Sequence, residues 1–174
     1  GTGNGTVTFT IAPSSGASLS GSFTIGGTTF TVRQQAANIT GLNLTGSMPH
    51  VAAEGGWSTT FTLINKGTSS TTARTSLLNP DGTPLTLPMS LPQQPSLSGP
   101  LLAASLDDTI APNASLVMTA LGPANVPYLE GSAQLASTGN VDGFAIFRYD
   151  PSKQEAVVPL ETRNAPEYVI AFDN

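Results

Sequence analysis

The chain has no cysteine and very few charged residues. Among its 174 residues there are one His and one Trp, and Asp, Glu, Lys and Arg together make up 10%, against about 25% in an average soluble domain. Without cysteine there can be no disulfide framework, thiolate metal site, iron–sulfur cluster or cysteine nucleophile. Zinc sites usually need two or three His or Cys ligands. We therefore predict no metal ion and no cofactor.

Positive charge and long apolar runs are also scarce. Six Lys and Arg stand against eleven Asp and Glu, which gives a net charge of -5. Nucleic-acid binding needs clustered cations that neutralise phosphates, so we exclude nucleic acid as a partner. No apolar run reaches the roughly 18 residues of a membrane span, and the first five residues, GTGNG, do not resemble a signal peptide. A hydrophobic fraction of 39% is nevertheless enough for a core of ordinary size.

Threonine alternates with apolar residues near the start of the chain, which is the period-two pattern of half-buried strands. Residues 6–11 read TVTFTI, with three threonines on one face. Two further runs, 22–25 and 29–33, flank a Gly-Gly-Thr turn, where glycine can take the positive φ of a tight hairpin. The pattern predicts three strands within the first 37 residues.

Strand-like runs continue to the C-terminus at the spacing of sandwiches and barrels. Residues 38–47 have a looser pattern, which we interpret as a connector or short edge strand. Residues 143–147 are apolar on both faces and predict a central strand covered on both sides, whereas 88–105 contain too many prolines for a central strand and predict a crossover or an edge. The clearest runs are Trp57–Asn65, 72–78, 83–87, 114–121, 131–137, 143–149, 156–160 and 168–172.

These patterns together predict an all-β protein. Residues 48–174 form an antiparallel β-sandwich, immunoglobulin-like or jelly-roll-like. Residues 1–37 form an additional, incomplete three-stranded module at the N-terminus, and 38–47 connect the two. Within the sandwich we expect Asn79-Pro80-Asp81-Gly82 to close a hairpin, because Pro sets φ and Asp-Gly favours the left-handed position.

Two segments resemble known families. Residues 20–35, SGSFTIGGTTFTVRQQ, resemble the closing hairpin of a BACON-type domain, an immunoglobulin-like module frequently associated with bacterial carbohydrate-active proteins. The resemblance covers only the last three strands of such a domain. The runs PHVAAEGGW, GFAIFRY and EAVVPLETR, at 49–57, 143–149 and 155–163, resemble an uncharacterised β-sandwich repeat of large secreted bacterial proteins. Together they imply a secreted, extracellular or cell-surface location and neighbouring domains in a longer chain.

No catalytic constellation is visible. There is no Gly-x-Ser-x-Gly elbow for a serine nucleophile, and we expect His50 in a surface loop. The acids, Asp107-Asp108 among them, are scattered and fit turns or a solvated rim. Trp57 alternates in phase with Phe61 and Leu63, which favours the core over a sugar platform. Weak candidates for ligand contact are the three tyrosines, Tyr128, Tyr149 and Tyr168.

The N-terminal module cannot cover its own apolar residues. Seven of them, at about 1.5–3 kcal/mol each, would forfeit roughly 10–20 kcal/mol in water, more than the whole stability of most domains. Either the outer face of the 48–174 sandwich or a second chain must cover them. We favour a second chain, because the strand faces of the larger domain look Thr-rich on the outside, and we name Phe9, Phe23 and Phe30 as assembly contacts.

Two functions follow as hypotheses. The first is a non-enzymatic extracellular or cell-surface β-sandwich protein with a structural, adhesive or self-assembling role, through β-strand pairing between subunits. The alternative is a carbohydrate-binding module of a secreted bacterial protein. A hydrolase would need two convergent carboxylates in a cleft, which the sequence does not indicate.

Overall fold

The computed structural model describes residues 7–8, 10, 17–36, 38–94, 101–163 and 167, and these contain twelve β-strands and no helix. No described helix is therefore long and apolar enough to cross a membrane. The strands are β1 Leu19–Ile25, β2 Thr28–Gln34, β3 Asn43–Ala53, β4 Trp57–Asn65, β5 Thr71–Leu78, β6 Leu87–Ser90, β7 Leu101–Ala103, β8 Ser105–Ile110, β9 Ser115–Leu121, β10 Leu129–Ser137, β11 Val141–Tyr149 and β12 Gln154–Pro159.

Two sheets of unequal width pack face to face. The wider sheet has eight strands in the order β1-β2-β7-β6-β9-β4-β11-β12, and the narrower one has four in the order β3-β10-β5-β8. All pairings are antiparallel except that of β2 with β7. The apolar core lies between the sheets, with Phe61, Met118 and Leu135 among its most buried side chains. The predicted all-β sandwich is confirmed.

Strand β4 shows why the period-two pattern is informative. Phe61 and Leu63 are 0% and 1% exposed, while the intervening Thr60 and Thr62 lie on the outer face and are only partly buried. The predicted inward direction of Phe61 and Leu63 is confirmed. Trp57 shares their phase, but at the start of the strand it is only half-buried. The prediction that Trp57 belongs to the buried core is therefore wrong.

The N-terminal hairpin, β1 and β2, forms as its turn predicted. Gly26 and Gly27 have φ angles of 58° and 82°, which only glycine adopts easily. Strand β2 then pairs in parallel with β7 of the same chain, at Thr31↔Leu101 and Val32↔Leu102. The hairpin thus extends the edge of the wider sheet and does not dock on the outer face of the 48–174 sandwich. Of the strand predicted at 6–11, residues 6, 9 and 11 lie outside the described residues, and the described residues 7, 8 and 10 are not in a strand.

The chain between β5 and β6 departs from the prediction. The Asn79–Gly82 turn is present, with the Gly82 N–H donating to the Asn79 carbonyl at 2.9 Å. It does not close a hairpin within one sheet, because β5 belongs to the narrow sheet and β6 to the wide one. After a single bridge between Leu78 and Pro84, the chain crosses to the other layer. The strand predicted at 83–87 is wrong, since the strand begins only at Leu87.

Two other segments need correction. Residues 88–105 contain β6 and β7, and β6 lies inside the wide sheet between β7 and β9. Its Pro88 is tolerated because only Met89 and Ser90 pair with β9. Strand β11 is central, as predicted, but Phe144 and Ile146 stay half-buried beside the fully buried Ala145. The prediction that this strand is covered on both faces is therefore wrong.

Candidate functional site

An open pocket lies at one end of the sandwich, where β3 and β11 end and β4 and β10 begin. Both sheets contribute to it, and its volume is about 420 Å³. We call it the aromatic pocket; its lining residues are His50, Ala52, Gly55, Trp57, Tyr128, Glu130 and Tyr149.

The wide sheet supplies two stacked rings. Trp57, the first residue of β4, pairs across the ladder with Tyr149, the last residue of β11. Their ring centroids are 4.7 Å apart and the planes are inclined by 31°. Phe147 follows at 6.2 Å from Trp57. Cross-strand pairing thus forces the only tryptophan and a tyrosine into one apolar wall.

The narrow sheet supplies the polar side of the pocket. Glu130 of β10 pairs with Ala52 of β3, and Tyr128 lies two residues before Glu130, on the same side of the chain. A bulge in β3 sets Pro49 and His50 opposite a single residue of β10. Bulges redirect side chains, and here the His50 ring meets Phe147 edge-on at 4.8 Å. The expectation of a surface-loop histidine is wrong: His50 is half-buried within a strand.

The turn between β3 and β4 closes the pocket on one side. Glu54, Gly55 and Gly56 all have positive φ, at 64°, 56° and 91°. A Cβ on Gly55 would lie 2.8 Å from the backbone nitrogen of Tyr128, and one on Gly56 would lie 3.4 Å from the Tyr149 ring. The glycines therefore let the turn lie directly against both tyrosines.

The electrostatics of the pocket are acidic. Its lining contains the Glu130 carboxylate but no Lys or Arg. Within the described part of the chain, Glu130 makes no ion pair and no side-chain hydrogen bond. Beside the pocket, burial raises the pKa of Glu54. The pocket thus combines three aromatic rings, an imidazole and an unpaired carboxylate.

The structure brings together two of the three predicted tyrosines. Tyr128 and Tyr149 line the same pocket, although 20 residues lie between them in the sequence. Tyr128 is 54% exposed, as a ligand platform requires. Tyr168 lies outside the described residues. The sequence did not predict Trp57, His50 and Glu130 as site residues. The only local indication was that Trp57 alternates in phase with Phe61, which predicts that its side chain lies on the inner face of β4.

The predicted assembly residues belong to the hairpin. Phe23 and Phe30 pair across β1 and β2, and their rings stack with centroids 5.6 Å apart and an angle of 17°. Both are half-buried. Phe9 lies outside the described residues. A contact of these phenylalanines with a second chain stays a prediction.

A polar cleft of about 590 Å³ separates the hairpin from β8. The Arg74 guanidinium donates to both oxygens of Asp107 at 2.7 Å and to the Ala36 carbonyl at 2.6 Å. Burial raises the pKa of Asp108, whose Oδ1 accepts a hydrogen bond from Gln94 at 2.6 Å. The prediction that Asp107-Asp108 is a turn or rim element is wrong: both residues lie in β8, and Asp107 holds the Arg74 guanidinium that donates to the Ala36 carbonyl.

Among the described residues no group of three or more His, Cys, Asp or Glu side chains is placed to hold a metal ion. No family model, curated protein or solved structure matches the chain. The chemistry of the aromatic pocket therefore has to be derived from its own residues.

Proposed function

We propose that this chain is a non-enzymatic carbohydrate-binding β-sandwich, exported to the cell surface or the medium, and that the aromatic pocket holds the sugar. The observation that carries the proposal is the convergence of Tyr128, Tyr149 and Trp57 on one open pocket. The resemblance of residues 20–35 to a BACON-type hairpin supports the same ligand class.

The rings provide the apolar half of sugar recognition. A pyranose presents C–H groups on its faces, and aromatic faces carry the negative end of the ring quadrupole, so the two surfaces attract. Trp57 and Tyr149 form a continuous wall, and Tyr128 stands opposite the glycine turn with more than half its surface in solvent. A sugar ring can thus displace water from apolar surface without any rearrangement of the backbone.

The polar groups provide the other half. Pockets of this kind orient a ligand with a few polar atoms among apolar ones. Glu130 can accept hydrogen bonds from sugar hydroxyls through both carboxylate oxygens, and the imidazole of His50 offers a donor and an acceptor. His50 and Glu130 also line a neighbouring groove of about 560 Å³. That groove leaves room for a second sugar unit.

Binding can be measured directly, because Trp57 is the only tryptophan and lies in the pocket. A glycan array identifies ligands, and titration of Trp57 fluorescence gives their affinities. Tyr128→Ala should weaken binding about tenfold, which corresponds to about 1.4 kcal/mol. Tyr128→Phe keeps the ring and should retain most of the affinity. An array without ligands, or equal affinities for the wild type and Tyr128→Ala, would contradict the proposal.

A second candidate function, self-association, is favoured by the outer face of the wide sheet. We define the apolar outer face as the solvent side of β9, β4, β11 and β12. Val157 is 62% exposed there, beside half-buried Phe144 and Ile146. The charges at its rim are already paired, Arg148 with Glu155 and Lys66 with Asp142. Covering this face with a second copy would therefore bury no unpaired charge from these ion pairs. Such self-association would suit a structural or adhesive role.

Sedimentation velocity tests this second function. Val157→Lys places a charge in the middle of the apolar outer face and should shift any dimer or polymer to monomer. Leu44→Lys is the matched control, since Leu44 is similarly exposed, at 59%, but lies on β3. A wild-type chain that stays monomeric at high concentration would remove self-association.

A further inference from the structure

We infer that the aromatic pocket selects a sugar that carries a protonated amino group, such as a β-1,4-linked glucosamine oligomer, over neutral sugars of the same shape. The inference rests on the proposed carbohydrate-binding function and specifies its ligand. It comes from the combination of aromatic rings, an unpaired carboxylate and the lack of any cation in the lining.

The rings suit a cation as well as a sugar face. A cation within about 6 Å of an aromatic centroid is attracted by the ring quadrupole, most strongly by Trp and then by Tyr. Trp57, Tyr149 and Tyr128 present three such rings around one space. An ammonium group on the sugar would gain this attraction, which a hydroxyl or an acetamide at the same carbon cannot.

Glu130 adds a formal charge of the right sign. Glu130 is exposed, lines the pocket, and has no ion-pair partner among the described residues. By contrast, the more distant Glu155 is already bound by Arg148 at 3.0 Å. A hydrogen bond from an ammonium group to a carboxylate is roughly twice as strong as one between neutral groups. Among the residues that line the pocket, Glu130 is therefore the acid available to an ammonium group.

The lining also disfavours anionic sugars. None of the seven residues around the pocket is Lys or Arg, and the whole chain has a net charge of -5. A uronic acid or a sulfated sugar would bring a second negative charge next to Glu130 and meet no counter-charge. The expected order of affinity is therefore amino sugar, then neutral sugar, then acidic sugar.

Three oligosaccharide series test the inference, because they differ only at carbon 2 of each β-1,4-linked unit. They carry an ammonium group (glucosamine), an acetamide (N-acetylglucosamine) or a hydroxyl (glucose). Each is titrated against the intact chain with Trp57 fluorescence as the readout, at about pH 6. This pH is set well below the pKa of about 7.7–8.0 of an ordinary α-amino group, because the amines of linked glucosamine units, flanked by electron-withdrawing oxygens, are less basic than that group. We expect glucosamine oligomers to bind at least tenfold more tightly than either neutral series.

Glu130→Gln is the decisive variant. It should reduce the affinity for glucosamine oligomers by a factor at least tenfold larger than the loss for glucose oligomers, because the amide keeps an oxygen that accepts from hydroxyls but carries no charge for an ammonium group. Glu155→Gln is the control that removes an acid elsewhere on the surface and should change neither. In the wild type, added salt should reduce the ratio of the affinity for glucosamine oligomers to that for glucose oligomers, since screening weakens the attraction between the ammonium group and Glu130.

The outcomes separate this inference from the function on which it rests. Equal binding of all three series, or a preference that survives Glu130→Gln, overturns the amino-sugar inference and leaves carbohydrate binding standing. Tighter binding of the acetamide series also overturns it. No binding by any series and an empty glycan array would overturn the proposed function and the inference together.

Discussion

Asn65 is the buried polar side chain on which the closure of the sandwich most depends. It is 1% exposed at the end of β4. Its Nδ2 donates to the carbonyls of Ser69, Ile110 and Ala111 at 2.8, 3.0 and 3.1 Å, and its Oδ1 accepts from the Gly67 N–H at 2.9 Å. One amide thus joins the ends of strands that belong to the two different sheets.

The substitution Asn65→Asp keeps the size of the side chain and removes both donor hydrogens. A buried carbonyl left without a partner costs about 1–3 kcal/mol, and the two hydrogens of the amide mean that at least two such bonds are lost. The new carboxylate would also face three carbonyl oxygens. We expect the free energy of unfolding to fall by about 3–5 kcal/mol, a large part of the typical 5–15 kcal/mol.

The stability lost in Asn65→Asp should increase as the pH rises. Burial among carbonyl oxygens raises the pKa of the introduced carboxyl in the folded state above its unfolded value of about 3.9. The folded state then binds a proton more strongly than the unfolded state, so stability falls as the pH rises through this window. The deficit relative to the wild type should be larger at about pH 7 than at about pH 4.

Urea denaturation followed by Trp57 fluorescence measures the effect at both pH values. Asn43→Asp is the matched control, because Asn43 is exposed and donates a single hydrogen bond, to the Gly41 carbonyl at 3.1 Å. A deficit for Asn65→Asp that equals the control, or one that grows as the pH falls, would refute the reasoning.

Two further predictions concern the narrow sheet and its link to the hairpin. Gly131→Ala should cost about 1–3 kcal/mol, because its methyl group would collide with the Leu78 carbonyl oxygen, and each kcal/mol lost should lower the Tm by about 2–4 °C in a chain of this size. Gly21→Ala, which has open space around it, should change the Tm little. Arg74→Met should accelerate hydrogen exchange in β1 and β2, since it removes the hydrogen bond to the Ala36 carbonyl after β2 and the two hydrogen bonds to Asp107 that hold the guanidinium in place. The exposed Arg148→Met should not, and equal protection in both variants would contradict this.

Local patterns predicted individual strands in both sheets. The bounds of β4 were predicted in full, and those of β5 to within one residue, because alternation with a buried face is a property of a single strand. The Gly-Gly turn likewise predicted the hairpin, since the positive φ of the turn is set by the residues within it.

Features that depend on a distant partner were not predictable. The acids of β8 lie in a strand because Asp107 stands opposite Arg74 on β5 in the ladder, and nothing near Asp107 in the sequence indicates that pairing. Pro88 lies inside the wide sheet for a similar reason, since the pairing with β9 begins one residue later. Predicting the aromatic pocket would require the registers of two strand pairs, one that places Trp57 opposite Tyr149 and one that places Ala52 opposite Glu130.

The pocket stays open because the edge of β3 is already satisfied. Thr59, from the opposite sheet, donates its hydroxyl to the Ala52 carbonyl at 2.7 Å and accepts from the Ala52 N–H at 3.0 Å. Further along β3, Ser47 exchanges backbone hydrogen bonds of 3.0 and 2.8 Å with Glu161. An edge whose N–H and C=O groups are paired does not recruit another strand. The narrow sheet therefore ends at β3, and the Trp57 and Tyr149 rings at the end of the sandwich remain available to a ligand.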